Sequence, residues 1–378
     1  MHFFIDKNSL VNAISHVSKA VSSKNTIPIL SGIKFEVSHE GLILTGSDSD
    51  ITILITISKL INENQIVKII NDGKVVLPRY IVDIVKKLPS EEIEFKLVDR
   101  QTVIIKSGFS EFSINSYDVE EYPELPLIDK EKSFNIESKL LKTMIKQTNF
   151  AVSFNESRPI LSGVLWNLDE DTLKLISTDS HRLAIREGIV DNPSQIKLTN
   201  VVIPGKSLQE LYKILDNYNT IVNITVTNNQ ILIKIDNLIF FSRLLDGTYP
   251  DISRIIPKNG NSKIVLQNTV LLDAIERAAL IAKESKNNIV KLSSLESNII
   301  EISSNLHEIG KVTETIEVKE FIGEIIKISF NSKYVLDALK VIDSNEISIE
   351  FTGALSPFVI KPIDHDKMLY LILPIRTY

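Results

Sequence analysis

The sequence predicts an α+β chain made of three copies of one domain, each copy carrying two helices packed on antiparallel strands. Three observations predict it. Shifting the chain by 131 residues superimposes Ala20-Val21-Ser22 on Ala151-Val152-Ser153, Pro28-Ile29-Leu30-Ser31-Gly32 on Pro159-Ile160-Leu161-Ser162-Gly163, and Ser47-Asp48-Ser49 on Thr178-Asp179-Ser180. Pro78, Pro204 and Phe330 stand 126 residues apart, and each introduces a helical stretch: RYIVDIVKKL, GKSLQELYKIL and NSKYVLDALKVI. A fainter third copy follows at an offset of 261, where Leu271, Ala274 and Ile275 match Leu10, Ala13 and Ile14. Ser303-Ser304-Asn305 stands there where GSD and STD stood. Repeats of this size are whole domains rather than solenoid turns. The expected domains are residues 1–128, 129–254 and 255–378.

Taken in order, the first copy opens with a helix, because Leu10, Ile14, Val17 and Val21 fall at helical spacing. Ile33 to Val37 alternates strictly, and Ile51, Ile53, Ile55 and Ile57 line one face with Thr52 and Thr56 opposite, so both are strands. Val75-Val76-Leu77 runs into Pro78, a residue suited to a first helical position, and Ile81, Ile84, Val85 and Leu88 form the second helical stripe. Strands at Glu92 to Leu97 and Thr102 to Lys106 lead into SYDVEEYPELP, an expected exit loop. The second copy repeats the order: a helix with Leu141, Ile145 and Val152, a PILSG strand, TDSHR, then Pro204 before a helix with Leu208, Leu211 and Leu215. Two alternating strands follow around Asn228-Asn229, and a second Tyr-Pro closes the unit. The six expected helices are residues 6–25, 78–88, 137–149, 205–216, 270–287 and 331–343.

Apolar residues make up 43% and charged residues 24% of the chain, which suits a globular protein and leaves no room for extended disorder. No run approaches the ~20 apolar residues of a membrane span, and MHFFIDKNSL lacks the basic start of a signal peptide. A soluble, cytoplasmic protein is expected. With no cysteine, disulfides and thiolate metal sites are excluded. The histidines at 2, 16, 39, 181, 307 and 365 are too far apart for a local zinc motif. A net charge of −6 argues against nucleic acid only if the charge is uniform. It is segregated: the six expected helices carry an excess of six positive charges, and the remainder an excess of twelve negative ones. Basic helices gathered on one side of each domain would attract phosphate without reading bases. The plainer reading is that lysines on helices are simply solvated.

Enzyme chemistry is not expected. Asp179, Ser180 and His181 place three triad residue types side by side, but a nucleophile, its base and the orienting group must converge from separate segments. Pro204-Gly205-Lys206-Ser207 resembles the end of a phosphate loop, yet Asn200 stands where its first glycine is required. Asp48 and Asp50 suggest a metal, but the third copy has Asn305 at the matching place and no further ligand nearby. No catalytic, cofactor or metal residue is assigned.

The threefold repeat, with AVSS-x-x-TIPILSG, GSDSD, STDSHRLA, VVIPGKSL, FFSRLLDG-x-YPD and the terminal LILPIRTY, resembles the bacterial DNA polymerase sliding clamps, the β subunits of the replicative DNA polymerase III holoenzyme. The likeness runs from Met1 to Tyr378. It implies three clamp domains per chain and a head-to-tail homodimer, a six-domain ring that encircles duplex DNA without sequence specificity and acts as a processivity factor in DNA replication. Across the dimer seam the resemblance places Phe112 and Ile114 against Leu280 and Ile281; ordinary core burial is the competing reading of each. It also implies a hydrophobic pocket for short linear motifs of the replicative polymerase α subunit, the clamp loader, other polymerases and repair proteins. Carried over, that pocket comprises Leu161, Thr178, His181, Arg182, Leu183, Pro250, Arg254 and Ile255. The third domain adds Leu355, Pro357, Ile372, Leu373, Pro374, Ile375 and Arg376. Lys24, Arg79, Lys142, Lys146 and Arg158 would meet duplex phosphates non-specifically. No cofactor and no membrane partner are implied. The alternative is a protein-interaction scaffold ring that does not encircle DNA.

Overall fold

The computed structural model describes residues 1–22, 27–61, 64–123, 133–155, 157–257, 260–295 and 298–376. The chain falls into two compact units: Met1–Lys139 with Asp191–Ile196 and Lys206–Leu244, and Leu140–Val190 with Lys197–Gly205 and Leu245–Tyr378. Among the described residues six α-helices are present: α1 (Lys7–Val17), α2 (Ile81–Lys87), α3 (Ser138–Thr148), α4 (Gly205–Leu215), α5 (Asn268–Ala282) and α6 (Ser332–Leu339). Each overlaps one of the six stretches expected from helical spacing, although α1 stops at Val17 rather than near residue 25 and α5 runs Asn268–Ala282 rather than 270–287.

Among the described residues the first unit contains two large antiparallel sheets and a two-stranded ribbon of Leu60–Ile61 with Asn64–Gln65. A five-stranded sheet runs Ser110–Asn115, Thr102–Ser107, Glu92–Leu97, His2–Asp6, Val67–Asn71. An eight-stranded sheet runs Ser133–Glu137, Ile221–Val226, Gln230–Ile235, Leu238–Arg243, Ile51–Ser58, Gly41–Ser47, Gly32–Ser38, Gly73–Pro78. The alternation of Ile51–Ser58 is realised: its four isoleucines are buried and its threonines half-exposed. In α1, Asp6 accepts the Ser9 N–H at 2.7 Å and caps the helix, while Leu10, Ala13, Ile14 and Val17 turn inward at spacings of three and four.

The second unit repeats the plan. Its nine-stranded sheet runs Leu198–Pro204, Gly163–Asp169, Thr172–Thr178, Arg182–Ile189, Met368–Ile372, Phe358–Pro362, Glu346–Phe351, Ser262–Gln267, Glu320–Gly323. A four-stranded sheet runs Gly310–Glu317, Ile299–Leu306, Ile289–Ser294, Lys327–Asn331. Register shows the internal duplication. Gly32 pairs with Pro78 as Gly163 pairs with Pro204. Thr52 pairs with Phe241 as Leu183 pairs with Leu371. Each large sheet is therefore shared by two successive repeats. Successive residues of Arg182–Ile189 serve opposite faces: Leu183 and Ile185 join one apolar cluster, Ala184 another.

Three local expectations are corrected. Pro78 does not begin a helix. It ends an edge strand, where a missing N–H costs no ladder bond, and α2 starts at Ile81. The PILSG stretches are not strands up to their glycine. Pro28–Ser31 and Pro159–Ser162 are 3₁₀ turns, because the serine hydroxyl donates back to the proline carbonyl at 2.6 Å in both. SYDVEEYP is more than an exit loop, since Tyr122 is buried with Ile29, Leu30 and Val76 and its hydroxyl donates to the Thr45 carbonyl at 3.3 Å. Burial raises the Tyr122 phenol pKa above its ordinary value.

The glycine that ends each 3₁₀ turn is dictated by close approach. A Cβ on Gly163 would lie 2.7 Å from the Ile203 carbonyl oxygen and 2.7 Å from Val202 Cγ1. Gly163→Ala is expected to destabilise the chain by about 1–3 kcal/mol, the usual cost of overpacking a closed site. Urea denaturation followed by circular dichroism checks it, and an unchanged midpoint would show that the strands part freely.

Candidate partner-binding site

The site is built on the turn between Thr172–Thr178 and Arg182–Ile189. Asp179 Oδ1 accepts the backbone N–H groups of His181 and Arg182 at 2.9 and 3.0 Å, and Ser180 sits in the left-handed region at φ 75°. The first repeat builds the same turn. Asp48 Oδ1 accepts from Asp50 and Ile51 at 3.1 and 2.8 Å, with Ser49 at φ 81°. The aspartates recur because they close the turn by side chain to backbone bonds. Thr178 Oγ1 donates to the Arg182 carbonyl at 2.6 Å, and its backbone N–H donates to the Tyr249 hydroxyl at 3.0 Å. Burial raises the Tyr249 phenol pKa.

Arg182 is 5% exposed and fully engaged. Its guanidinium donates to Asp179 Oδ2 at 3.0 Å, to Asp337 Oδ2 on α6 at 2.6 Å and to the Phe150 carbonyl at 2.7 Å. It lies between the Phe150 and Tyr334 rings, 5.3 and 4.8 Å from their centroids. A planar fork between two aromatic faces is a task for arginine. Arg182 thus fixes the turn and leaves its exposed neighbour His181 to face outward. The imidazole of His181 stacks on Tyr334, with centroids 6.2 Å apart and planes inclined by 15°.

Leu161 and Leu183 form an apolar floor with Tyr249 and Leu371, flanked by half-buried Leu373 and Ile256. Leu373 N–H donates to the His181 carbonyl at 2.9 Å, and Ile375 N–H to the Ser329 carbonyl at 2.7 Å, so the C-terminal segment is held beside the turn. Pro357, Pro374 and Ile375 are half-buried, while Pro250, Arg254, Ile255, Leu355 and Arg376 are exposed. Beside Tyr249 and Pro250 opens a cleft of about 410 Å³ lined also by Leu165, Leu168, Ile176 and Ile252. Ile372 does not join the floor. Strand alternation turns it to the opposite cluster with Tyr370, and Leu371 stands in its place. Leu371, Tyr249 and Tyr334 are the residues that sequence reasoning passed over. The alternation of LILPI could have placed Leu371 with Leu373, whereas nothing local in the sequence marks Tyr334.

The expected phosphate contacts divide. Lys24 lies outside the described residues. Arg79 is exposed in the turn before α2, and Lys146 is exposed on α3 with Lys142, half-buried, one turn earlier. Arg158 is exposed and reaches the site's own turn, with Nη1 3.5 Å from Ser180 Oγ.

The expected seam residues also divide. Phe112 is 39% exposed on Ser110–Asn115, the edge strand of the five-stranded sheet, and Leu280 is 61% exposed on α5 with Ile281 half-buried. Ile114, at 4% exposure, is buried within the chain and offers little surface to a partner. Gly310–Glu317 is a second sheet edge. On it Glu314 is held by the Arg277 guanidinium of α5, which keeps its carboxyl below the usual pKa.

Comparison with known proteins adds the family. Residues 1–126, 135–251 and 253–376 match, in order, the N-terminal, central and C-terminal domain families of the DNA polymerase III beta subunit. The chain is 48% identical over 379 residues to the beta sliding clamp of Bacillus subtilis and 47% identical over 380 residues to that of Halalkalibacterium halodurans, with both chains of each pair covered in full. It superimposes on the crystal structure of the Bacillus subtilis DNA polymerase sliding clamp with a TM-score of 0.98 at 48% identity, and on that of a Pseudomonas aeruginosa sliding clamp bound to griselimycin with a TM-score of 0.91 at 27% identity, covering all of each chain. The chain belongs to the DNA polymerase III beta subunit family, the bacterial beta sliding clamps.

Proposed function

We propose that the floor of Leu161, Leu183, Tyr249, Leu371 and Leu373, with His181 and Tyr334 at its rim, is where this sliding clamp holds the linear motifs of its partners. The function itself is that of the family: a non-enzymatic processivity factor that encircles duplex DNA without sequence specificity and tethers the polymerase. The observation that carries it is the match to all three domain families, in order, along one chain. Our reading assigns the replicative polymerase α subunit, the clamp loader and other polymerases and repair proteins to this one site. It sets the domain boundaries at 128/129 and 254/255, and it gives phosphate contacts to Arg79, Lys142 and Lys146 in the cytoplasm. Such contacts hold the duplex without fixing register, which sliding requires.

Physical chemistry supports the motif site. An apolar floor closed by a stacked imidazole, with backbone groups at its edge, suits a short segment bearing one or two large apolar side chains.

Two measurements test these readings. Protein loaded on nicked circular DNA should be retained on gel filtration and released once the circle is cut. Retention after linearisation would mean that attachment is chemical, which is the behaviour of a scaffold that does not encircle DNA. Substituting Leu183 and Ile375 together by alanine should weaken binding of a polymerase-derived motif peptide by about 100-fold, on the order of two lost apolar contacts at ~1.5 kcal/mol each, while the dimer's mass is unchanged. Unaltered peptide affinity would remove the motif site from this floor.

A further inference from the structure

The first repeat has a cavity where the second repeat has its motif floor. It measures about 290 Å³ and is lined by Leu30, Asp50, Thr52, Tyr122, Phe241 and Arg243 among others. The backbone frame is the same in both places. Arg243 N–H donates to the Asp50 carbonyl at 2.9 Å as Leu373 N–H donates to that of His181. Thr52 faces Phe241 across the ladder as Leu183 faces Leu371, and Tyr122 and Tyr249 are equally buried beneath.

The lining has diverged. Leu30, Tyr122 and Phe241 keep an apolar floor, but Thr52 stands where the second repeat has Leu183, Arg243 where it has Leu373, and Asp50 where it has His181. Arg243 is exposed; Asp50 of the same lining meets it through its backbone carbonyl, and no ion pair of the Arg243 guanidinium is found among the described residues. The volume is at the lower limit for ligand sites, enough for one or two side chains and too small for a cofactor. A guanidinium with no ion pair among the described residues, beside an apolar floor, selects a carboxylate next to an apolar anchor, since charge-assisted pairs are about twice as strong as neutral ones.

We propose that this cavity is a second linear-motif site, which takes an extended peptide segment of another protein with one aromatic or large aliphatic anchor on the floor and an acidic neighbour paired to Arg243. From the reading of the second repeat it borrows only the class of ligand. The shared frame explains why a peptide would fit, and the exchanged residues explain why it would be a different peptide.

A random heptapeptide library, displayed on phage and selected on the full chain carrying Leu183→Thr, tests it, because that variant gives the second repeat's floor the residue already present in the first. Enriched peptides should share an apolar anchor with an acid within two positions. A synthetic representative should bind the unsubstituted chain equally well and Arg243→Glu about tenfold more weakly, and its lysine counterpart should prefer Arg243→Glu. Arg243 is exposed, so the variant folds. Equal affinity for Arg243→Glu, a consensus without an acid, or no enrichment overturns the proposal.

Discussion

Arg182→Ala is expected to destabilise the unit that contains it by about 3–5 kcal/mol, the cost of removing one partner from a buried charge network. The guanidinium satisfies two carboxylates and one carbonyl and fills the space between two rings, so its loss strands Asp179 and Asp337 and opens a void. Asp337 is the more exposed of the two and recovers part of its hydration, which places the effect toward the lower end of that range. Arg182→Lys should recover little, because an ammonium cannot bond three acceptors in one plane while stacked between rings. Urea unfolding of both variants is the check. A shift under 1 kcal/mol for the alanine variant would mean that solvent or a rearranged turn replaces the network. The same variant should lose motif-peptide binding, since the turn that presents His181 hangs on this side chain.

This network explains what could and could not be read from the sequence. Periodicity located all six helices, and the isoleucines of Ile51–Ser58 gave their strand and its buried face, because both signals are local. The 3₁₀ turns at Pro28 and Pro159 were misread because a serine hydroxyl, invisible to hydropathy, closes them, and the start of α2 because Pro78 serves as the last residue of an edge strand. His181-Arg182-Leu183 could be singled out as the place where the second repeat departs from the first. Their division of labour could not. Arg182 is an internal brace, His181 a stacked rim and Leu183 a floor, and that depends on Phe150, Tyr334 and Asp337, which are distant in the chain. Ile114 was left between two readings for the same reason: alternation on an edge strand shows that one face is buried, but not whether it is buried by the chain's own core or by a partner, and within the chain Ile114 is 4% exposed.

Phe112→Asp is expected to convert the protein from a dimer of about 85 kDa to the 42.6 kDa single chain at micromolar concentration. Phe112 is an aromatic left partly exposed on an open sheet edge, and natural edges are normally blunted by charge or cover. Here the cover in our reading is the second open edge, Gly310–Glu317, of another copy, with Leu280 of α5 against the ring. Losing a central aromatic anchor typically costs 2 kcal/mol or more, and a carboxylate buried in its place adds to that, so a weakening of about 100- to 1000-fold follows. Ile114→Ala should instead lower the stability of the chain, because its side chain serves the chain's own core. An aspartate at Ile189, an exposed apolar residue of another strand, should leave the mass unchanged and serves as the control. Sedimentation velocity separates the outcomes. If Phe112→Asp sediments as the unsubstituted chain does, the ring closes through some other edge, and with it the pairing of Phe112 and Leu280 would fall.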